Sequence, residues 1–271
     1  MSIGTFVGFL TGIALFVLAI ILSLTDSSQA WIFLNGPSFV LVVGGTVAAT
    51  FAGHESRYVW LALKGIVSTL LVQRIGRNLL NREVGRVIRW GYLVQQQGIP
   101  ALEEDAKNVR GDEFLNFGIE MVVSSYSGQD VREILLNTAA TTYERNLVQA
   151  NILRFMASAS PAFGMIGTLV GLIIMLDGLD PGKGDLSQLG QGLAVALNTT
   201  LYGILLSRLV LLPAAAKLQQ RQEIIRFRNE LMAEGLALLS DRTGPRLIQD
   251  RMNSFLDPAI RFDIDRQMKR G

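Results

Sequence analysis

FMASASPAFGMIGTLVGLIIM, residues Phe155 to Met175, decides how this chain is read. It carries no charged side chain, and at ~1.5 Å rise per residue a helix of this length crosses a hydrocarbon core of roughly 30 Å. Within it Pro161, Gly164, Thr168, Gly171 and Met175 recur at three- and four-residue steps, so a helix gathers them on one narrow face. That face is smooth at its glycines and polar only at Thr168. It is suited to pack against another helix or to line a narrow path.

The rest of the chain supports a membrane reading. Of 271 residues, 49% are hydrophobic and only 18% charged, with a mean hydropathy of +0.35, too apolar for an ordinary water-soluble domain. There is no cysteine, which excludes disulfides and thiolate metal sites. The isoelectric point near 9.0 does not mark a nucleic-acid binder, because the bases are spread through segments of mixed sign.

Working outward, Phe6 to Leu24 is a first apolar run, read as a retained span because no basic segment precedes it and no small-residue cleavage site follows. The polar link Thr25 to Gln29 leads to a second, Trp31 to Phe51, whose Gly44-Gly45 pair lets a neighbouring helix come close. Residues 1–51 thus read as a transmembrane hairpin. Residues 52–151 change to mixed charge and read as a helical insert, with helical spacing over Asn81 to Gln97 and Asp130 to Gln149 and breaks at Gly98-Ile99-Pro100, Gly111 and Gly128. Residues 152–213 form a second hairpin: the opening stretch, a loop from Asp177 to Gln188 with three aspartates and Lys183, and a fourth span from Gln191 to Leu212. The tail, 214–271, keeps helical spacing to about Ser240 and extends the fourth helix into water. The expected fold is an all-α integral membrane protein with four transmembrane helices.

Orientation follows from the bases. Of the 25 Lys and Arg, 22 fall in the insert and the tail, and none lies between the first two spans. Since cytoplasmic loops hold the excess of Lys and Arg, both segments and both termini are expected in the cytoplasm of a bacterial inner-membrane protein.

Titratable side chains inside a bilayer mark ion pathways, yet the four spans contain no Asp, Glu, His or Lys. Their one base, Arg208, stands close to Pro213 and can reach the interface. The hydroxyls of Thr168, Thr199 and Thr200 can back-bond to the preceding turn as quiet packing residues. Together with freed carbonyls they can equally coordinate a dehydrated cation, but they cannot hold and release a proton. An ionisable group must come from another chain. No Walker loop or HExxH is present, and the single His54 lies at a span end without a sequence partner. No enzyme, cofactor or metal site is expected.

The stretches PAFGMIGTLVGLIIML (Pro161 to Leu176) and LAVALNTTLYGILL (Leu193 to Leu206) resemble the third and fourth spans of MotA/PomA flagellar stator proteins, within the wider MotA/TolQ/ExbB ion-channel family. The resemblance extends to PSFVLVVGGTVAAT (Pro37 to Thr50), ALEED (Ala101 to Asp105) and PAAAKL (Pro213 to Leu218). It implies a subunit forming a pentameric ring around MotB/PomB-like single-span partners, whose membrane aspartate would fill the gap just described. It also implies that the insert drives a flagellar rotor of the FliG type. By motif, Thr168, Thr199 and Thr200 fall at the ion path, Pro161 and Pro213 at the prolines tied to gating and coupling, and Glu103, with Glu104 and Asp105, at the acidic rotor-facing patch.

Three departures qualify the resemblance: Gln95 stands where the family places a base, Arg208 where it has a small or amide side chain, and Asn198 where it has an apolar one. Gln95 keeps open a non-flagellar, ExbB/TolQ-type proton-driven energiser of an outer-membrane or gliding system. Threonine at both 168 and 200 resembles sodium-type stators, though proton-driven relatives carry threonines at comparable positions, so Na+ and H+ both stay open.

Overall fold

The computed structural model describes residues 3–23, 33–70, 77–106, 111–177 and 186–256, together with Pro258. Among them there is no strand. Helix α1 covers Ile3–Ser23, α2 Gly36–Gly53 and α3 Ser56–Leu70. Helices α4 (Arg77–Gln97), α5 (Ile99–Ala106) and α6 (Glu113–Val123) follow. The last four are α7 (Gly128–Asp177), α8 (Leu186–Leu205), α9 (Leu212–Ser240) and α10 (Pro245–Ser254). The link Thr25 to Gln29, Trp31, and the loop residues Asp180, Lys183 and Asp185 lie outside the described residues.

Among the described residues, three helical runs are long and apolar enough to cross a membrane: Gly36–Gly53, Gly128–Asp177 and Leu189–Ser240. Only 22–33% of their most apolar windows is buried within the chain, so lipid or other subunits must cover the rest. The helix of the run expected over Trp31 to Phe51 begins at Gly36, later than its hydropathy indicates. Asn35 caps it, accepting the Ser38 N–H at 3.0 Å through Oδ1, and Pro37 occupies its first turn, where a missing N–H costs nothing.

The chain divides into two compact units, residues 1–73 with 147–220 and residues 74–146 with 221–271. In the first, Ala62 of α3 packs with Leu153, Met156 and Ala157 of α7 and Ala215 and Leu218 of α9. Gly45 of α2 lies under the Phe163 ring, so close that a Cβ there would sit 2.4 Å from it. The expected close approach at the Gly44-Gly45 pair is therefore made by Gly45.

The second unit has a conventional large-residue core. Trp90, Ile88, Leu102, Leu115, Leu231, Met232, Leu236, Ile248 and Met252 are fully buried in one cluster, so the tail helices α9 and α10 complete the core begun by the insert. Gly98, at φ +81°, makes the turn that separates α4 from α5, a backbone state that costs glycine little. Polar groups are buried as a network. The Arg228 guanidinium donates to Asp112 and, at 3.3 Å, to Glu83, and Glu83 also pairs with Arg86 at 3.0 Å. Asp112 caps α6 as well, accepting the Leu115 N–H at 3.1 Å.

Candidate functional site

The two hydroxyl-bearing helices meet along a seam of very small residues. Antiparallel α7 and α8 approach until backbone touches backbone: a Cβ on Gly171 would lie 2.5 Å from the Gly192 carbonyl oxygen and 2.6 Å from the Ala196 nitrogen. One on Gly167 would meet the Thr199 side chain at 2.4 Å, and one on Gly203 the Ser160 carbonyl at 2.8 Å. Helices that gain nothing from hydrophobic contact in lipid associate this way, by close packing and interhelical hydrogen bonds. The line of contact runs Ser160, Gly164, Gly167, Gly171 and Met175, so it takes in Gly167 where the three- and four-residue spacing selected Thr168.

Thr168 stands beside that line, partly exposed, and its hydroxyl donates to the Met165 carbonyl at 2.6 Å. Thr199 is fully buried and donates to its own preceding turn, at 3.0 Å from both Val195 and Ala196. Thr200 is partly exposed and reaches the Ala196 carbonyl at 3.5 Å. Each hydroxyl hydrogen is thus directed at backbone, which leaves oxygen lone pairs as what the side chain can offer outward. Thr168 and Thr200 can act as acceptors toward a cation, whereas Thr199 is occupied in packing on Gly167.

Pro161 lies inside a continuous α7, and its consequence is local. Proline has no N–H for the carbonyl four residues back, which here belongs to Ala157. That carbonyl is satisfied from the facing helix: the buried Ser207 hydroxyl donates to it at 2.7 Å, and Ser160 donates in return to the Gly203 carbonyl at 2.9 Å. Ser207 lies in a π-helical turn, Leu206–Leu211, between α8 and α9, closed by the Leu212 N–H on the Ser207 carbonyl. The exposed Pro213 follows at once. A second π turn, Val40–Gly44, widens α2. The bond from Ser207 to the Ala157 carbonyl and the two π turns are not legible in the sequence, which shows Ser207 only as a polar residue on the Thr200 face of the fourth span; the proline just downstream of the Leu206–Leu211 turn is the available signal.

The remaining candidates are placed as follows. Arg208 is exposed on the π turn and Asn198 is buried. His54 follows α2 as its C-cap, its ring edge-on to Phe155 at 4.8 Å, and Nδ1 has no hydrogen-bond partner among the described residues. Glu103 and Glu104 of α5 are exposed, as is Gln95 on α4. Asp105 is turned to structure: it accepts the Trp90 indole N–H at 2.6 Å and lies 3.9 Å from Arg89. These acids belong to the second unit and the threonines and prolines to the first.

A family model described as the MotA/TolQ/ExbB proton channel family matches residues 106–231. Chemotaxis protein PomA of Vibrio alginolyticus is 29% identical across 98% of this chain and 100% of its own length. Motility protein A of Aquifex aeolicus is 30% identical across 92% of this chain and 94% of its own. Among solved structures, a chain of C. jejuni MotAB superposes with a TM-score of 0.83, covering 95% of this chain and 97% of that one at 19% identity. A chain of the flagellar MotAB stator complex from Bacillus subtilis gives 0.77, with 92% and 95% covered at 22% identity. These likenesses establish the fold.

Proposed function

Because the chain belongs to the MotA/TolQ/ExbB proton channel family, we infer that it is the A subunit of a flagellar stator, an inner-membrane machine that turns an ion gradient into rotation. The relatives named PomA and motility protein A, alike over nearly their whole lengths, support that reading. The observation that carries the mechanism is the seam: hydroxyl oxygens at Thr168 and Thr200 on helices packed backbone to backbone, in spans without a carboxylate.

An ion path so built is completed by a MotB-like single-span partner whose aspartate takes up and releases the ion. Five copies of the present chain, with four spans each and both termini in the cytoplasm, surround two such partner helices. Thr168 and Thr200 ease dehydration of Na+ or H3O+ by offering lone pairs, and Thr199 keeps the seam closed behind them. Pro161 and Pro213 bracket the segment whose hydrogen bonds exchange most readily, since each removes one rung of a helical ladder. Glu103 and Glu104 present charge to a rotor protein of the FliG type, and Asp105 holds the turn that displays them.

The test is co-expression with the partner subunit and measurement of gradient-driven rotation. Thr168→Ala with Thr200→Ala stops rotation at unchanged membrane abundance; undiminished rotation would overturn the path assignment. Exchange of external sodium for potassium at constant proton-motive force stops a sodium motor and leaves a proton motor turning.

A further inference from the structure

Helix α3 has two faces of different use. Val59 and Ala62 are fully buried, and Ala62 packs on Leu153, Met156 and Leu218 with Ile66 beside it. On the opposite side Arg57, Trp60, Leu61, Lys64 and Val67 fall within about a third of the helix circumference. Trp60 is 57% exposed and Val67 59%. Only His54 and Glu55 separate this helix from the end of α2, where His54 turns extended at φ −140° and ψ 154°. An aromatic ring, two aliphatic side chains and two bases immediately beyond a spanning helix are the composition of a helix lying in the headgroup layer.

The charge balance says what covers that face. Among the described residues of the first unit the bases are Arg57, Lys64, Arg154, Arg208 and Lys217 and the acids only Glu55 and Asp177, and the ion pairs found among the described residues lie in the other unit. The Lys64 ammonium stands 5.7 Å from the centre of the Trp60 ring, a cation–π pair that leaves its charge uncompensated by acid. An apolar protein surface laid over this face would strand two charges. A lipid phosphate would neutralise them while its acyl chains received Trp60, Leu61 and Val67.

We propose that this face of α3 is a docking surface for anionic phospholipid of the cytoplasmic leaflet, with Arg57 and Lys64 on the headgroup and Trp60, Leu61 and Val67 at the acyl boundary. The inference rests on the cytoplasmic placement of α3 in the proposed topology. The chain has no cysteine, so Val67→Cys gives one attachment point per copy of this chain for an environment-sensitive fluorophore on the complex with a cysteine-free version of its partner subunit. In nanodiscs of phosphatidylcholine and phosphatidylglycerol carrying a nitroxide near the headgroup, that label is quenched by the lipid, and one on exposed Gln95→Cys is not. Arg57→Gln with Lys64→Gln lowers phosphatidylglycerol retained in native mass spectrometry by roughly an order of magnitude without reducing the assembled complex.

A Val67 label shielded from both nitroxide and aqueous iodide means that a protein neighbour covers the face. A label open to iodide alone means water does, and undiminished phosphatidylglycerol in the double variant removes the headgroup role. Each of these results overturns the proposal. The topology is checked separately by Arg246→Cys: labelling by an impermeant maleimide from outside intact cells would overturn the cytoplasmic placement while leaving quenching at Val67 unaffected.

Discussion

In the unit of residues 1–73 and 147–220, helices close until Gly171 lies against the Gly192 carbonyl; in the unit of residues 74–146 and 221–271 they are held apart by Trp90, Leu115, Met232 and Leu236. The first has hydroxyl-to-carbonyl bonds and no ion pair among its described residues, while the second buries Arg228 against Glu83 and Asp112. The contrast follows from the solvent. In water, removing large apolar side chains from solvent drives packing, at about 25 cal/mol per Å2, and helix spacing is set by their bulk. In lipid that drive is absent, so stability comes from close backbone approach and satisfied polar groups. One unit should therefore fail when a methyl is added, the other when a charge is left alone.

The largest expected effect is in the second unit. Arg228→Ala leaves Glu83, 3% exposed, without its interhelical partner, and removing one member of a buried pair costs about 3–5 kcal/mol. Urea titration of the full chain in nanodiscs measures it, and a loss below ~1 kcal/mol would mean that the network behaves as a solvated one. Joint replacement of Glu83 and Arg228 by Met recovers part of the loss, since no buried carboxylate is then left unpaired, while the partly exposed Asp112 and Arg86 each lose a partner.

Next comes the seam. Gly171→Ala forces α7 and α8 apart against backbone atoms that cannot rotate away, at about 1–3 kcal/mol, whereas Gly190→Ala on α8, where nothing lies within 4 Å of a new Cβ, is tolerated. Equal thermal stability of the two variants in nanodiscs would mean that backbone contact along the seam does not set the helix spacing of the first unit. A comparable effect, about 1–3 kcal/mol, is expected of Ser207→Ala, which leaves the Ala157 carbonyl unsatisfied. It should vanish in a Pro161→Ala background, because alanine restores the missing backbone donor; a loss that persists there would sever the link between that hydroxyl and the proline. The smallest stability change, within about 0.5 kcal/mol, belongs to exposed Glu103→Lys. It should reduce torque at constant membrane abundance, and unaltered torque would remove Glu103 from the rotor surface.

Much of this was legible in the residue order. Uncharged runs and glycine spacing identify the helices of the seam, and the spacing through Ser240 anticipates the end of α9. Three features were hidden for definite reasons. The contact line drifts from Thr168 to Gly167 because the partner helix, which spacing within one helix does not register, decides which residue is covered. The role of Ser207 depends on a carbonyl fifty residues away, freed by a proline that leaves α7 unbroken. The Arg228 network joins residues 145 and 116 positions apart, so the tail read as a helix in water although it closes the core of the insert. The acidic run Glu103-Glu104-Asp105 was legible as a patch, but only contact with Trp90 separates Asp105 from its neighbours.

The central claim is that these spans, with hydroxyls and no carboxylate, move ions only when a partner supplies the acid. It is tested most directly by measuring ion uptake under an imposed gradient in proteoliposomes that hold this subunit alone, its complex with the single-span partner, or the complex with the partner's membrane aspartate changed to asparagine. Uptake by the intact complex only is the predicted result. Equal uptake by the subunit alone would contradict the account.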